Sequence, residues 1–277
     1  MLEKEFSRGL RICLTLLFLA GGLYLGWGKM SPVPAIVLAA GINTLLIQRL
    51  SANGSRLKGI RNAFLFYFLA ELVCFMGLYL FAHEFFLLLH DALHVISLFC
   101  LFAFISSLFP SEALARLCSI RGCAPACDWS SETCVLRKSS AALMAGSVIL
   151  SFVPLLLWWF DQKQPFLGIP QGITEASRLL NLVVFPVIAL SFFILIFLRA
   201  EIFRLNMEKR HKRLAVAASA MLAYSLFQLL TFLLAPAAAI PVEEFLEFFP
   251  MVPVFYFLAD SIPILSGNGR KLASLKS

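Results

Sequence analysis

Long apolar stretches separated by short polar loops recur along the whole 277-residue chain. A stretch of about 18 or more apolar residues is long enough to cross the hydrocarbon layer of a membrane as a helix. The pattern therefore predicts an all-α fold, a polytopic integral membrane bundle of about eight helices in a single domain. The predicted spans cover residues 12–28, 34–47, 62–82, 85–108, 140–160, 179–198, 214–234 and 249–265.

The first and last of these spans allow other interpretations. The start of the chain resembles a secretory signal, with basic residues before an apolar run, but no small-x-small cleavage site follows it, so we interpret it as a retained helix. The eighth span contains Asp260 and three prolines. A seven-helix bundle with a re-entrant or interfacial end is therefore an alternative.

Composition favours the membrane interpretation. Hydrophobic residues make up 60% of the chain and charged residues only 14%, and Phe alone occurs 28 times. Soluble domains usually carry about 25% charged residues. This excess of apolar residues is expected where side chains face lipid.

The distribution of basic residues predicts the orientation. The net charge is +7, and 20 of the 23 Lys and Arg residues lie at the two ends of the chain and in alternate loops. Such a bias places these loops and both termini in the cytoplasm, and it favours an even number of spans. We expect a cell (inner) membrane protein, with the lipid bilayer as its partner and without nucleic acid.

The fourth span carries the main candidate functional residues, three of the four histidines in the chain. His90 and His94 are one turn apart on one face, and Asp91 lies beside His90. Glu71, on the third span, is expected at a depth similar to that of His94 if the two spans form an antiparallel pair. A Glu71–His94 pair is therefore predicted.

Three interpretations of these polar residues remain open. They form a satisfied polar pair that fixes helix packing, or a relay for protons or cations formed by Glu71, His90, His94 and Asp91. In the third interpretation, His90 and His94 hold a metal ion. His83 lies too far along the helix to join that site, and no cofactor is identified by sequence alone.

A second candidate metal site lies in a predicted cytoplasmic loop, residues 110–138. Its four cysteines, in a C-x4-C-x3-C-x6-C spacing, are Cys118, Cys123, Cys127 and Cys134. Four thiols could close around zinc, but the usual C-x2-C knuckle is absent. A reducing compartment disfavours disulfides in this loop, and the absence of any dedicated site is the simplest interpretation.

Polar residues and a proline elsewhere in the chain add three further predictions. Asp260 is another ionisable candidate for the relay, near the predicted cytoplasmic end of the eighth span. The basic loop from Arg199 to Arg213 could bind anionic lipid headgroups, although it also fits an ordinary cytoplasmic loop. Pro154 is expected to kink the fifth span.

These residues leave three classes of function open. The first is a transporter of small solutes or ions with an intramembrane Glu/His relay. The second is a membrane sensor or assembly partner without catalysis, and the third is an intramembrane enzyme acting on a lipid or lipid-linked substrate. HExxH, GxxxxGK[ST] and GxSxG motifs do not occur in the sequence, which favours a role other than catalysis.

Overall fold

A computed structural model describes residues 58–81, 84–107, 135–163, 180, 182–195, 221–226, 229–230 and 233. All of these residues except the turn at Phe152 are helical, and no β-strand occurs among them. The all-α prediction is confirmed for this part of the chain. The predicted first, second and eighth spans, residues 110–134 of the cysteine loop, Asp260 and the loop from Arg199 to Arg213 lie outside the described residues. The last residues of that predicted loop, 135–138, are helical, because the apolar helix predicted from residue 140 begins at Val135.

Two antiparallel helices form the centre of the described structure. Helix α1 covers Lys58–Phe75 and continues as a π-helical segment, Met76–Phe81; helix α2 covers Glu84–Ser107. The interior of α2 contains neither Gly nor Pro, and Pro110 follows its end, where a helix cannot easily continue. These bounds agree closely with the predicted third and fourth spans.

Two glycines, one at the start of α1 and one in the π-helical segment that continues it, permit a close approach to α2. A Cβ on Gly59 would lie 3.0 Å from Phe104 Cβ, and one on Gly77 would lie 2.8 Å from Phe86 Cβ. The number of residues between Gly59 and Gly77 equals the number between Phe86 and Phe104. The two contacts therefore belong to the same antiparallel register. Between the two glycine contacts, the hydroxyl of Ser97 donates a 2.8 Å hydrogen bond to a carbonyl of α1, that of Ala63.

Helix α2 is surrounded by other elements, which explains why its sequence is apolar on all sides. It packs against α1, against α3 (Val135–Ser151) and against α4 (Val153–Lys163). Its Phe102 ring meets the Phe192 ring of α5 (Leu182–Leu195) edge to face, with ring centroids 5.6 Å apart.

Helices α3 and α4 are one predicted span interrupted at Phe152. The Phe152 amide donates to the Ile149 carbonyl, three residues back, and Pro154 follows in the first turn of α4. Proline has no amide hydrogen and its ring clashes with the carbonyl four residues earlier. The interruption therefore lies where the sequence predicts a kink.

Within the part of the chain that the structure describes, two helical stretches are long and apolar enough to cross a membrane, Phe85–Ser106 and Lys138–Phe160. The second also exposes large apolar side chains over its second half, with Ile149 70% exposed and Trp159 and Phe160 about half exposed. A contiguous apolar surface of this kind is rare on soluble monomers and suits contact with lipid.

Candidate functional site

A buried polar centre lies where α1 and α2 face each other. Glu71 comes from α1, and His90 and His94 come from successive turns of α2. One ligand atom of each residue lies within 4.8 Å of the others. The three side chains are almost fully buried, with exposures of 2%, 6% and 1% in that order.

The helix register explains why these three groups converge. The spacing set by the two glycine contacts places Glu71 opposite Ala92 of α2, a fully buried residue. His90 and His94 precede and follow Ala92 by two residues, so that both rings flank the point that Glu71 faces. A small side chain at Ala92 leaves room for the carboxylate between them.

The nitrogen Nδ1 of each histidine faces an oxygen from a different residue. His90 Nδ1 lies 3.2 Å from Asp91 Oδ1, and His94 Nδ1 lies 3.4 Å from the hydroxyl oxygen of Tyr224. Tyr224 belongs to the helical segment 221–226. Each oxygen fixes the orientation of one imidazole ring.

Aromatic rings enclose the centre. The His94 ring lies 5.2 Å from the Tyr67 ring of α1 and 5.2 Å from the His90 ring, between centroids. Tyr224 in turn meets Phe185 of α5 edge to face, at 6.4 Å. The rings restrict water around the centre, which strengthens its electrostatic interactions.

The structure brings together four of the residues predicted from sequence: Glu71, His90, His94 and, beside His90, Asp91. Asp260 and the alternative metal ligands Cys118, Cys123, Cys127 and Cys134 lie outside the described residues. Their roles, and a role for the central cluster as a relay, stay predictions.

The sequence analysis missed two tyrosines of the centre. Tyr67 lies one helical turn before Glu71, so its place on the same face of α1 follows from helix periodicity. Tyr224 is 130 residues away from His94 in the chain. The only signal for it was a hydroxyl within a predicted apolar span, where such a group usually finds a partner.

Comparison of this chain with protein-family models, with curated proteins and with solved structures finds no significant match.

Proposed function

We propose that this chain is a multi-pass membrane transporter for cations, with Glu71, His90 and His94 as the site where the cation binds during passage. The proposal includes eight spans, cytoplasmic termini and a place in the cell (inner) membrane. Its main support is the convergence of a carboxylate and two imidazoles on one buried point.

Electrostatics favour a cation at this point. Moving a carboxylate from water into an apolar interior is costly unless a positive charge or hydrogen bonds compensate it. Ionisable groups within membrane helices are accordingly rare and usually mark ion pathways or proton relays. Glu71, 2% exposed and beside two imidazole rings, therefore lowers the free energy of a cation that binds there.

The arrangement goes beyond what helix packing requires. The Ser97–Ala63 hydrogen bond already joins α1 to α2 without burying a charge. Glu71, His90 and His94 instead bring three titratable groups together, and Tyr224 adds a contact from another segment. Helix packing alone would not require so many titratable groups at one buried point. We therefore prefer transport to the sensor or assembly alternative.

The test is cation flux into liposomes that contain the purified full-length protein. A panel of protons, alkali-metal ions and divalent ions is offered under an imposed gradient, and initial rates are recorded for wild type, Glu71→Gln and Ser97→Ala. The Gln variant keeps the size of the side chain and removes its charge. The Ser97 variant is the matched control, because it alters the same helix pair away from the centre.

We expect Glu71→Gln to lower the initial rate at least about tenfold, a barrier change of about 1.4 kcal/mol. Ser97→Ala should stay within about twofold of wild type. Equal rates for wild type, Glu71→Gln and empty liposomes across the whole panel would overturn the transport proposal and favour the sensor or assembly alternative.

A further inference from the structure

We infer that the cation is a divalent transition-metal ion of the zinc class, bound by the Glu71 carboxylate and by Nε2 of His90 and His94. Asp91 and Tyr224 act as positioning residues for the two rings. This inference rests on the proposed function for the role of the centre, and it adds the substrate class, the ligand atoms and the residues that orient them.

The set of donor atoms selects the metal class. Mg²⁺ and Ca²⁺ prefer sites made only of oxygen atoms, whereas imidazole nitrogen suits Zn²⁺, Cu²⁺, Ni²⁺ and iron. Two imidazoles with one carboxylate are an established zinc-ligand combination. Tetrahedral bonds of about 2.0–2.1 Å place ligand atoms roughly 3.4 Å apart. One donor atom of each residue, a ring nitrogen of each histidine and a carboxylate oxygen, already lies within 4.8 Å of the others, and binding would draw them closer.

The contacts of the histidines favour Nε2 as the ligand atom of each ring. Asp91 Oδ1 and the Tyr224 hydroxyl each face an Nδ1 atom, at 3.2 and 3.4 Å. Histidines that bind metal through one nitrogen usually donate the other N–H to a carboxylate, a carbonyl or water, which fixes the tautomer. With a proton held on Nδ1, the lone pair is on Nε2. The Nε2 atoms of both rings and Oε1 of Glu71 are buried.

The charges of the centre match a divalent ion. Glu71 and Asp91, when both ionised, contribute two negative charges, and two neutral imidazoles contribute none. A bound M²⁺ then leaves the buried group with no net charge, which minimises the cost of removing it from water. A monovalent ion would leave a net negative charge.

Three protein ligands also suit a transported ion. Structural zinc sites close all four positions with protein atoms, whereas sites that exchange a ligand leave one position open. Glu71, His90 and His94 supply three donors. The fourth position would let an incoming or departing ligand bind during transfer of the ion.

The test is equilibrium binding of Zn²⁺ and Co²⁺ to the full-length protein in detergent. Wild type is compared with Glu71→Gln, Asp91→Asn, Asp91→Ala, Tyr224→Phe, the double variant His90→Ala/His94→Ala and the control Ser97→Ala. Co²⁺ reports the ligands, because a nitrogen and oxygen site gives visible d–d bands without the intense near-ultraviolet charge transfer of thiolates. Thermal unfolding of every apo variant identifies those that fail to fold.

We expect one Zn²⁺ per chain with four-coordinate, thiolate-free Co²⁺ bands, lost in Glu71→Gln and in the histidine double variant. Asp91→Asn keeps an oxygen near His90 and removes a charge, whereas Asp91→Ala removes both. We expect Asp91→Ala to bind Zn²⁺ about 10- to 100-fold more weakly than wild type, and Asp91→Asn to lose less affinity. Both Asp91 variants should show changed Co²⁺ bands and an unchanged unfolding temperature. A merely structural role would change the unfolding temperature instead.

Two results would overturn the inference. One is Zn²⁺ affinity in folded Glu71→Gln equal to that of wild type. The other is flux of protons or alkali-metal ions by a wild-type protein that binds no Zn²⁺, a result that would retain the transport proposal. Conversely, Glu71-dependent Zn²⁺ binding without flux of any cation would support the inferred site and overturn transport.

Discussion

The hydroxyl oxygen of Tyr224 lies 3.4 Å from Nδ1 of His94, which joins two residues 130 positions apart in the chain. Both side chains are fully buried. Through this contact a third segment, 221–226, helps to orient a ring of the α1–α2 pair. The contact makes the properties of the centre depend on the later half of the chain.

Tyr224→Phe should weaken zinc binding about tenfold and leave the fold intact, because it removes one oxygen from His94 and keeps the aromatic ring. Affinity is measured by competition with a chelating dye. Ser225→Ala is the control, since the Ser225 hydroxyl donates within its own segment, to the Met221 carbonyl. Equal affinities in Tyr224→Phe and Ser225→Ala would contradict a positioning role for Tyr224.

Gly77→Ala should destabilise the protein by about 1–3 kcal/mol, because the new Cβ would lie 2.8 Å from Phe86 Cβ and force α1 away from α2. The measurement is thermal unfolding in detergent, followed by circular dichroism. Gly146→Ala in α3 is the matched control, with nothing within 4 Å of its added Cβ. Alanine favours the helix there, so Gly146→Ala should be neutral or stabilising by up to about 1 kcal/mol. Similar unfolding temperatures for both variants would show that the close approach at Gly77 does not limit packing.

Pro154→Ala should straighten the junction between α3 and α4, because the new amide can donate to a carbonyl in the preceding turn. Spin labels at the exposed positions Ala141 and Trp159 measure the change. Their backbone separation should rise towards about 27 Å, the length of a continuous helix at 1.5 Å per residue.

A label pair within α3, at Ala141 and Ile149, should keep its distance in the Pro154→Ala variant. If the longer distance also stays constant, the interruption at Phe152 is imposed by the surrounding helices rather than by the proline ring.

The stretch Lys138–Phe160 should separate two compartments, since it is long and apolar enough to span a bilayer. A reporter enzyme active only outside the cytoplasm is fused after residue 125 and, in a second fusion, after residue 168. From the distribution of Lys and Arg we expect activity only in the second. Activity in both fusions, or in neither, would contradict a crossing between them.

Much of the α1–α2 pair was predictable from the sequence. The apolar runs at 62–82 and 85–108 predicted the two helices to within a few residues, since long apolar runs without Pro leave few alternatives. The expected similar depth of Glu71 and His94 followed from the helix rise alone, and the structure places their ligand atoms within 4.8 Å.

Other features depend on partners that a single segment does not specify. Helix periodicity places His90 and His94 on one face, but only the register at Gly59 and Gly77 places Glu71 between them. A glycine in an apolar run is compatible with many packings, and the identity of the opposing residue decides whether it permits a close approach. Tyr224 contacts His94 through tertiary structure, so the local sequence indicated only a hydroxyl that needs a partner and not which residue supplies it.

The glycine-spaced register of α1 and α2 has a consequence for the biogenesis of the chain. In the proposed eight-span bundle α1 also crosses the bilayer, so that a lone α1 would carry the Glu71 carboxylate into lipid. A charge at the centre of an isolated helix costs roughly 2.5–3.5 kcal/mol during insertion. The groups that face this carboxylate belong to the next helix to be synthesised. We therefore expect the translocon to release α1 and α2 into the lipid together as a hairpin, with the glycine contacts already closed.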